Sequence, residues 1–469
     1  MVKRALTITL IIFAATVYCK AQAYSVERMS FNTNYFNEMS PVIGKDGSIM
    51  FSSDRRLRAM TDQISFDGRR LFNIFQITNN GNTLIEFKNE RTMKFNIGPF
   101  CLSADGRTIY FTSEVETGRN AQNRNFVNRN GIFIADLSGN QMINVRPFPY
   151  NSLEYDIGQP SLSADGRTLY FASNKPGGYG GSDIYFSELV NGVWTEPVNL
   201  GADVNSAASD NYPYIHPSGR LYFSSDREGG IGKLDIYFTN KTDGKWDEPR
   251  LMPAPVNSTA DDFAFVIEPN QQKGYFTSNR ANTDNIYAFT SHIRRMAICD
   301  ELQENSYCYE FKEVNAVKAD TIPFRYIWKF GDGHTAIGDS VIHCYEKPGT
   351  YTVQLDVENL ITGELLYNEK SDLLTITDIE QPYINSPEVA NVGAVIKLDA
   401  NKTHLPGWNI DQYYWNFDDE TIHIGKEADK VFTRPGTYNI QLIVSEKALP
   451  DGTVREKCVN QNIIILASP

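Results

Sequence analysis

Apolar and polar residues alternate in short runs along this chain, and the runs recur in register. In the clearest stretch, Tyr212-Pro213-Tyr214-Ile215, Arg220-Leu221-Tyr222-Phe223-Ser224-Ser225, Asp235-Ile236-Tyr237-Phe238-Thr239 and Trp246-Asp247-Glu248-Pro249-Arg250-Leu251 read as four strands. Pro217-Ser218-Gly219 and Asp243-Gly244 read as turns, glycine supplying the left-handed position. Pro249 places the fourth strand at an edge, where a missing N–H costs little. The second strand of this unit returns five times, aligned on Phe51, Phe111, Phe171, Phe223 and Phe276. A fixed period of this size means one supersecondary unit copied and stacked, because a single copy cannot bury its own apolar face.

Four antiparallel strands per unit, repeated around an axis, predict a β-propeller over residues 24–292. Five copies predict five blades. Six is the alternative, if a degenerate blade lies within the long first two repeats. The last copy stops after Asn285-Ile286-Tyr287-Ala288-Phe289, without an outer Trp-x-x-Pro strand. Tyr24-Ser25-Val26-Glu27-Arg28-Met29 stands ahead of the first copy, where an outer strand would sit. It is expected to complete the last blade, since closing the ring protects unpaired strand edges.

Beyond residue 295 the pattern changes. Trp328-Lys329-Phe330-Gly331-Asp332-Gly333 is followed by Pro348-Gly349-Thr350-Tyr351. Trp415-Asn416-Phe417-Asp418-Asp419-Glu420 is followed by Pro435-Gly436-Thr437-Tyr438, at a constant offset of 87 residues. That is the length of a small sandwich, so residues 296–378 and 381–469 are read as two immunoglobulin-like β-sandwiches. The tryptophans are expected to be core plugs, and Gly331 and Gly333 to permit the turn. The second copy lacks both glycines, which leaves its turn open. The fold class is thus all-β throughout.

The N-terminus supplies Lys3 and Arg4, an apolar stretch from Ala5 to Tyr18 and the small-x-small site Ala21-Gln22-Ala23. Residues 1–23 are read as a secretory signal peptide. Tyr18 before Cys19 fits a lipidation site poorly. The apolar stretch is short for a bilayer span, and no later segment supplies one, so the mature chain is expected to be exported with no integral span, to the periplasm or the outer-membrane surface. Five cysteines then remain, an odd number, so at least one is left unpaired within the chain. One pair is expected among Cys299, Cys308 and Cys344.

A net charge of −13 argues against nucleic acid as a partner, which needs a basic face to displace counterions. Gly180-Gly181-Ser182-Asp183 lacks the closing glycine of a nucleophile elbow. No H-E-x-x-H and no phosphate-binding glycine loop occurs, and the six histidines stand at no metal-ligand spacing. No catalytic residue, cofactor or metal is therefore assigned.

One asymmetry suggests docking. The long loops of the first two repeats carry Arg55, Arg56, Arg58, Arg69 and Arg70, then Arg119, Arg124 and Arg129. The connections between later repeats carry Glu154, Asp156, Asp203, Asp210, Asp261 and Asp262. A face basic on one side and acidic on the other suits a protein partner, with arginine giving bidentate contacts. The recurring Asp54-Arg55, Asp226-Arg227 and Asn279-Arg280 read instead as a shared turn-forming element.

The repeat phrase, as in Ser163-Ala164-Asp165-Gly166-Arg167-Thr168-Leu169-Tyr170-Phe171, resembles the WD40-like units of TolB-type propellers. The Trp-x-Phe-Gly-Asp-Gly and Pro-Gly-Thr-Tyr motifs resemble the PKD domain. The combination is similar to exported Bacteroidetes-type proteins that accompany type IX secretion and gliding machinery. The resemblance implies a non-enzymatic scaffold for cell-envelope proteins. A glycan-binding envelope module is the alternative, since PKD domains also accompany polysaccharide-active proteins.

Overall fold

The structure is a computed structural model, and it describes residues 22–55, 70–78, 83–92, 94–115, 129–242, 244–296, 298–313, 323–448 and 452–467. It divides into two compact units, one of residues 1–294 with 419–421, the other of the rest. Among the described residues every regular element is a strand, and no helix is long and apolar enough to cross a membrane.

In the first unit five antiparallel sheets follow one another along the chain, each of four strands but for the third, in which both pieces of a broken outer strand join the sheet. Their innermost strands are Glu38–Ile43, Ile97–Leu102, Ile157–Leu162, Asp210–Ile215 and Asp262–Ile267. Each packs beside the next, and the last packs beside the first, so the ring closes. The fifth sheet takes its outer strand from the other end of the chain: Tyr24–Arg28 pairs antiparallel with Asn285–Ser291, Val26 opposite Phe289. The expected closure by the N-terminal strand is what forms. The outer strands of the third and fourth sheets are each broken into two short pieces around Pro197 and Pro249, which cannot donate to a ladder.

The recurring phenylalanines explain the repeat. Phe51, Phe111, Phe171, Phe223 and Phe276 are each at most 1 % exposed. Each lies directly across the ladder from an aromatic on the third strand: Phe75, Phe133, Tyr185, Tyr237 and Tyr287. Their ring centroids lie 5.8–6.3 Å apart. Such cross-strand pairs are the stabilising unit of a sheet. Truncating one of these rings to alanine costs about 3–5 kcal/mol.

The second unit holds two sandwiches. In the first, Cys308–Lys312 pairs with Ser340–Cys344, facing a sheet ordered Thr335–Ile337, Phe324–Lys329, Gly349–Asn359, Leu365–Ile376. In the second, Val395–Asp399 pairs with Glu427–Val431, facing the sheet built on Ile410–Asn416, Gly436–Glu446 and Glu456–Leu466. Trp328 and Trp415 are core plugs as expected, 7 % and 0 % exposed. Asp300–Glu301, which the sequence places at the head of the first sandwich, pairs in parallel with Val459–Asn460 of the second. A disulfide between Cys299 and Cys458 fixes that crossing, and a second joins Cys308 to Cys344. Cys101 is the thiol left over.

Candidate functional site

The five innermost strands share a backbone irregularity. Each ladder slips by one residue in a β-bulge, between Met39 and Val42, Ile97 and Phe100, Gly158 and Ser161, Asn211 and Tyr214, and Phe263 and Val266. Within each bulge one residue takes a left-handed φ: Ser40 at 53°, Gly98 at 105°, Gln159 at 56°, Tyr212 at 51° and Ala264 at 52°. In four of the five the next residue is proline: Pro41, Pro99, Pro160 and Pro213. Proline suits a bulge, which leaves a residue outside the ladder.

Neighbouring sheets satisfy the amides that the bulges release. The Ser40 N–H donates to Thr277 Oγ1 at 2.9 Å and the Gln159 N–H to Thr112 Oγ1 at 2.8 Å. The corresponding position of the third sheet is Ala172, which has no hydroxyl. The Tyr212 N–H turns instead to Gln159 Oε1, at 2.7 Å. Gly98 has a different reason to be small: a Cβ there would come within 2.0 Å of Ser52 Oγ.

This belt of bulges surrounds a cavity of about 690 Å³ on the ring axis. All five innermost strands line it, with the turns that follow them. The size suits a small ligand or a short inserted peptide segment. Its wall mixes apolar side chains with a few fixed polar groups, such as Ser161 Oγ, which accepts from the Ile215 N–H at 3.0 Å. Burial pushes the Cys101 thiol up to about 12. Burial likewise holds the Tyr212 and Tyr214 phenols well above their ordinary value, although Tyr214 also donates to the Ile267 carbonyl at 2.8 Å.

The arginines expected to form a docking face are distributed differently. Arg55 is turned inward. Its guanidinium pairs with the fully buried Glu38 at 2.6 Å, donates to the Phe31 carbonyl and lies over the Phe51 ring. Two later sheets repeat the arrangement, Arg227 with Asp210 over Phe223, and Arg280 with Asp262 over Phe276. The recurrent arginine is therefore a clamp between successive strands, and Arg55 does not serve an outer surface. Asp210 and Asp262, expected on the acidic side of the face, are the buried halves of these clamps. Removing one partner would leave an uncompensated charge, at about 3–5 kcal/mol.

Arg129 pairs with Asp156 at 3.0 Å. Arg70 is exposed, its guanidinium 4.9 Å from the Phe36 ring centroid. Arg56, Arg58, Arg69, Arg119 and Arg124 lie outside the described residues. The Gly180-Gly181-Ser182-Asp183 loop is a structural turn: Asp183 accepts from the Tyr179 and Gly180 amides, and Ser182 Oγ lies 2.8 Å from Asn211 Oδ1.

Sequence reasoning missed the cavity. Its five left-handed positions hold five different residues, so no motif marks them. The recurring proline one residue later was the available signal.

Solved structures similar to this chain include a putative TolB from Agrobacterium tumefaciens, at 14 % identity and TM-score 0.34, covering 73 % of this chain and 82 % of that one. An oligogalacturonate lyase from Vibrio parahaemolyticus matches at 11 % identity and TM-score 0.32, covering 57 % and 96 %. A puromycin-hydrolysing peptidase from Mycobacterium tuberculosis matches at 11 % identity and TM-score 0.33, covering 80 % and 60 %. The C-terminal segments match more specifically: residues 299–363 and 380–456 both match the PKD domain family, so this chain carries two PKD domains in its C-terminal part.

Proposed function

We propose that this chain is a non-enzymatic interaction protein of the cell envelope, which holds a segment of a protein partner in the axial cavity of its propeller. One observation carries the reading. The described lining of the cavity is mostly apolar, from Pro41 and Val42 to Leu102, Ile215 and Phe265, with Lys45 and Glu268 as its charged residues. A mostly apolar wall favours retention of a ligand, whereas general acid–base work needs converging groups that titrate near the operating pH. The two disulfides fit an oxidising compartment, which supports export to the periplasm or the outer-membrane surface. The combination of propeller and PKD domains supports a place beside type IX secretion or gliding components. Tyr212, Tyr214 and Phe265 in the cavity favour a second reading, a glycan stacked on aromatic faces.

Ala104 and Ala164 sit at the cavity mouth and are exposed, so tryptophan at both narrows the mouth without entering a core. Capture from crosslinked envelopes with wild type and with Ala104→Trp/Ala164→Trp tests the reading. Loss of a specific envelope protein in the variant is expected. Equal capture by both would overturn it, and retention on polysaccharide alone would favour the glycan.

A further inference from the structure

The first PKD domain gathers two imidazoles and one carboxylate at a place that sequence spacing does not reveal. Asp332 and His334 belong to the turn between Phe324–Lys329 and Thr335–Ile337. His343 belongs to Ser340–Cys344, a strand of the facing sheet. Asp332 Oδ2 lies 2.7 Å from His343 Nε2 and 3.3 Å from His334 Nδ1. One ligand atom from each of the three residues lies within 4.8 Å of the others.

The cluster is held in place by its surroundings. The His343 ring stacks on Phe330, with centroids 3.9 Å apart and planes 6° from parallel. Tyr345 meets the same ring edge-on at 4.7 Å. Asp332 Oδ1 accepts the His334 backbone N–H at 3.0 Å, which leaves Oδ2 to face both imidazoles. An outer carboxylate oxygen fixed by a backbone donor is the support that metal ligands ordinarily receive. The His343 side chain is 13 % exposed and that of His334 is 67 % exposed, so the cluster opens to solvent on one side.

The second PKD domain provides an internal contrast. At the offset of 87 residues, Asp332 corresponds to Asp419, His334 to Thr421 and His343 to Lys430. Lys430 places its ammonium 5.0 Å from the ring centroids of both Phe417 and Phe432. The same position thus holds a fixed cation in one domain and a nitrogen ligand in the other.

We propose that Asp332, His334 and His343 bind one divalent transition ion of the zinc class. Two imidazole nitrogens and one carboxylate oxygen, with the remaining position open to water, match the preference of such ions. Bound there, the ion would clasp the Gly331–Gly333 turn of one sheet to a strand of the other. The test is zinc titration of the tag-free full-length protein by calorimetry, with cobalt as a spectroscopic probe. One zinc per chain is expected, with visible cobalt bands. His334→Ala and Asp332→Asn should each weaken binding at least about tenfold. His334 is mostly exposed, so its variant tests the site without disturbing the core. Absence of saturable binding to wild type, or unchanged affinity in both variants, would overturn the proposal.

Discussion

Trp328 and Trp415 do the same work in two copies of one domain. Each donates its indole N–H to a glycine carbonyl, Gly338 at 3.0 Å and Gly425 at 2.8 Å. The domains around them are consolidated by different means. Among the described residues, the core of the second PKD domain gathers 16 buried apolar side chains, and that of the first gathers 7. Equivalent positions differ accordingly. Cys308 and Cys344 form a disulfide in the first, where Val395 and Val431 pair across the ladder in the second. The first buries Asp356 against Lys329 at 2.6 Å, where the second has Ile443, 1 % exposed, and Asn416. At these equivalent positions the smaller apolar core is reinforced by a covalent and an ionic staple where the larger one packs aliphatic side chains.

The contrast has measurable consequences, and hydrogen exchange at the strand amides reads each domain separately. The largest expected effect is Trp415→Ala, which empties the centre of the larger core and should cost about 4–5 kcal/mol in the second domain. Trp328→Ala should cost about 3 kcal/mol in the first. Equal losses would erase the distinction in core size. Next, Cys308→Ser with Cys344→Ser opens a loop of 36 residues. It should lower protection in the first domain by about 2–4 kcal/mol and leave the second unchanged.

Acid should separate the domains as well. Burial raises the Asp356 carboxyl, but the Asn368 amide and the Lys329 ammonium outweigh it and hold the group below its ordinary value. A depressed carboxylate stabilises the fold above its unfolded value, near about 3.9, and that contribution is lost as pH falls through the folded value. Asp356→Asn should therefore flatten the loss of protection of the first domain between about pH 5 and pH 2. An unchanged acid slope would show that the pair contributes nothing.

The smallest effect concerns the turn that the sequence left open. Gly331 takes φ 80°, and Asp418 takes φ 60° at the same place. The second domain thus forms the turn with two ordinary residues in the left-handed region, Asp418 and, at the place of Gly333, Glu420 at φ 62°. Asp418→Gly should gain roughly 1 kcal/mol by relieving that strain. A loss would mean that the aspartate side chain contributes more than its backbone costs.

How much of this was legible follows from what each residue answers to. The blade phenylalanines and the sandwich tryptophans answer to their own strands, so periodicity exposed them. Closure by Tyr24–Arg28 was legible because the last repeat visibly lacked its fourth strand. Arg55 was misjudged because its loop looked like surface. The correcting signal was present, since Glu38, Asp210 and Asp262 stand 17, 17 and 18 residues before their arginines. The axial cavity and the His334–His343 approach depend on contacts between strands from different repeats or sheets, which spacing along the chain does not encode.

The central claim is that the axial cavity is where this protein holds its partner. A photo-crosslinking residue placed at Ala104, at the cavity mouth, tests it directly against the same residue at the exposed Tyr179. The account predicts a discrete envelope-protein adduct from position 104, abolished by Ala164→Trp. Adducts from position 179 alone would contradict it.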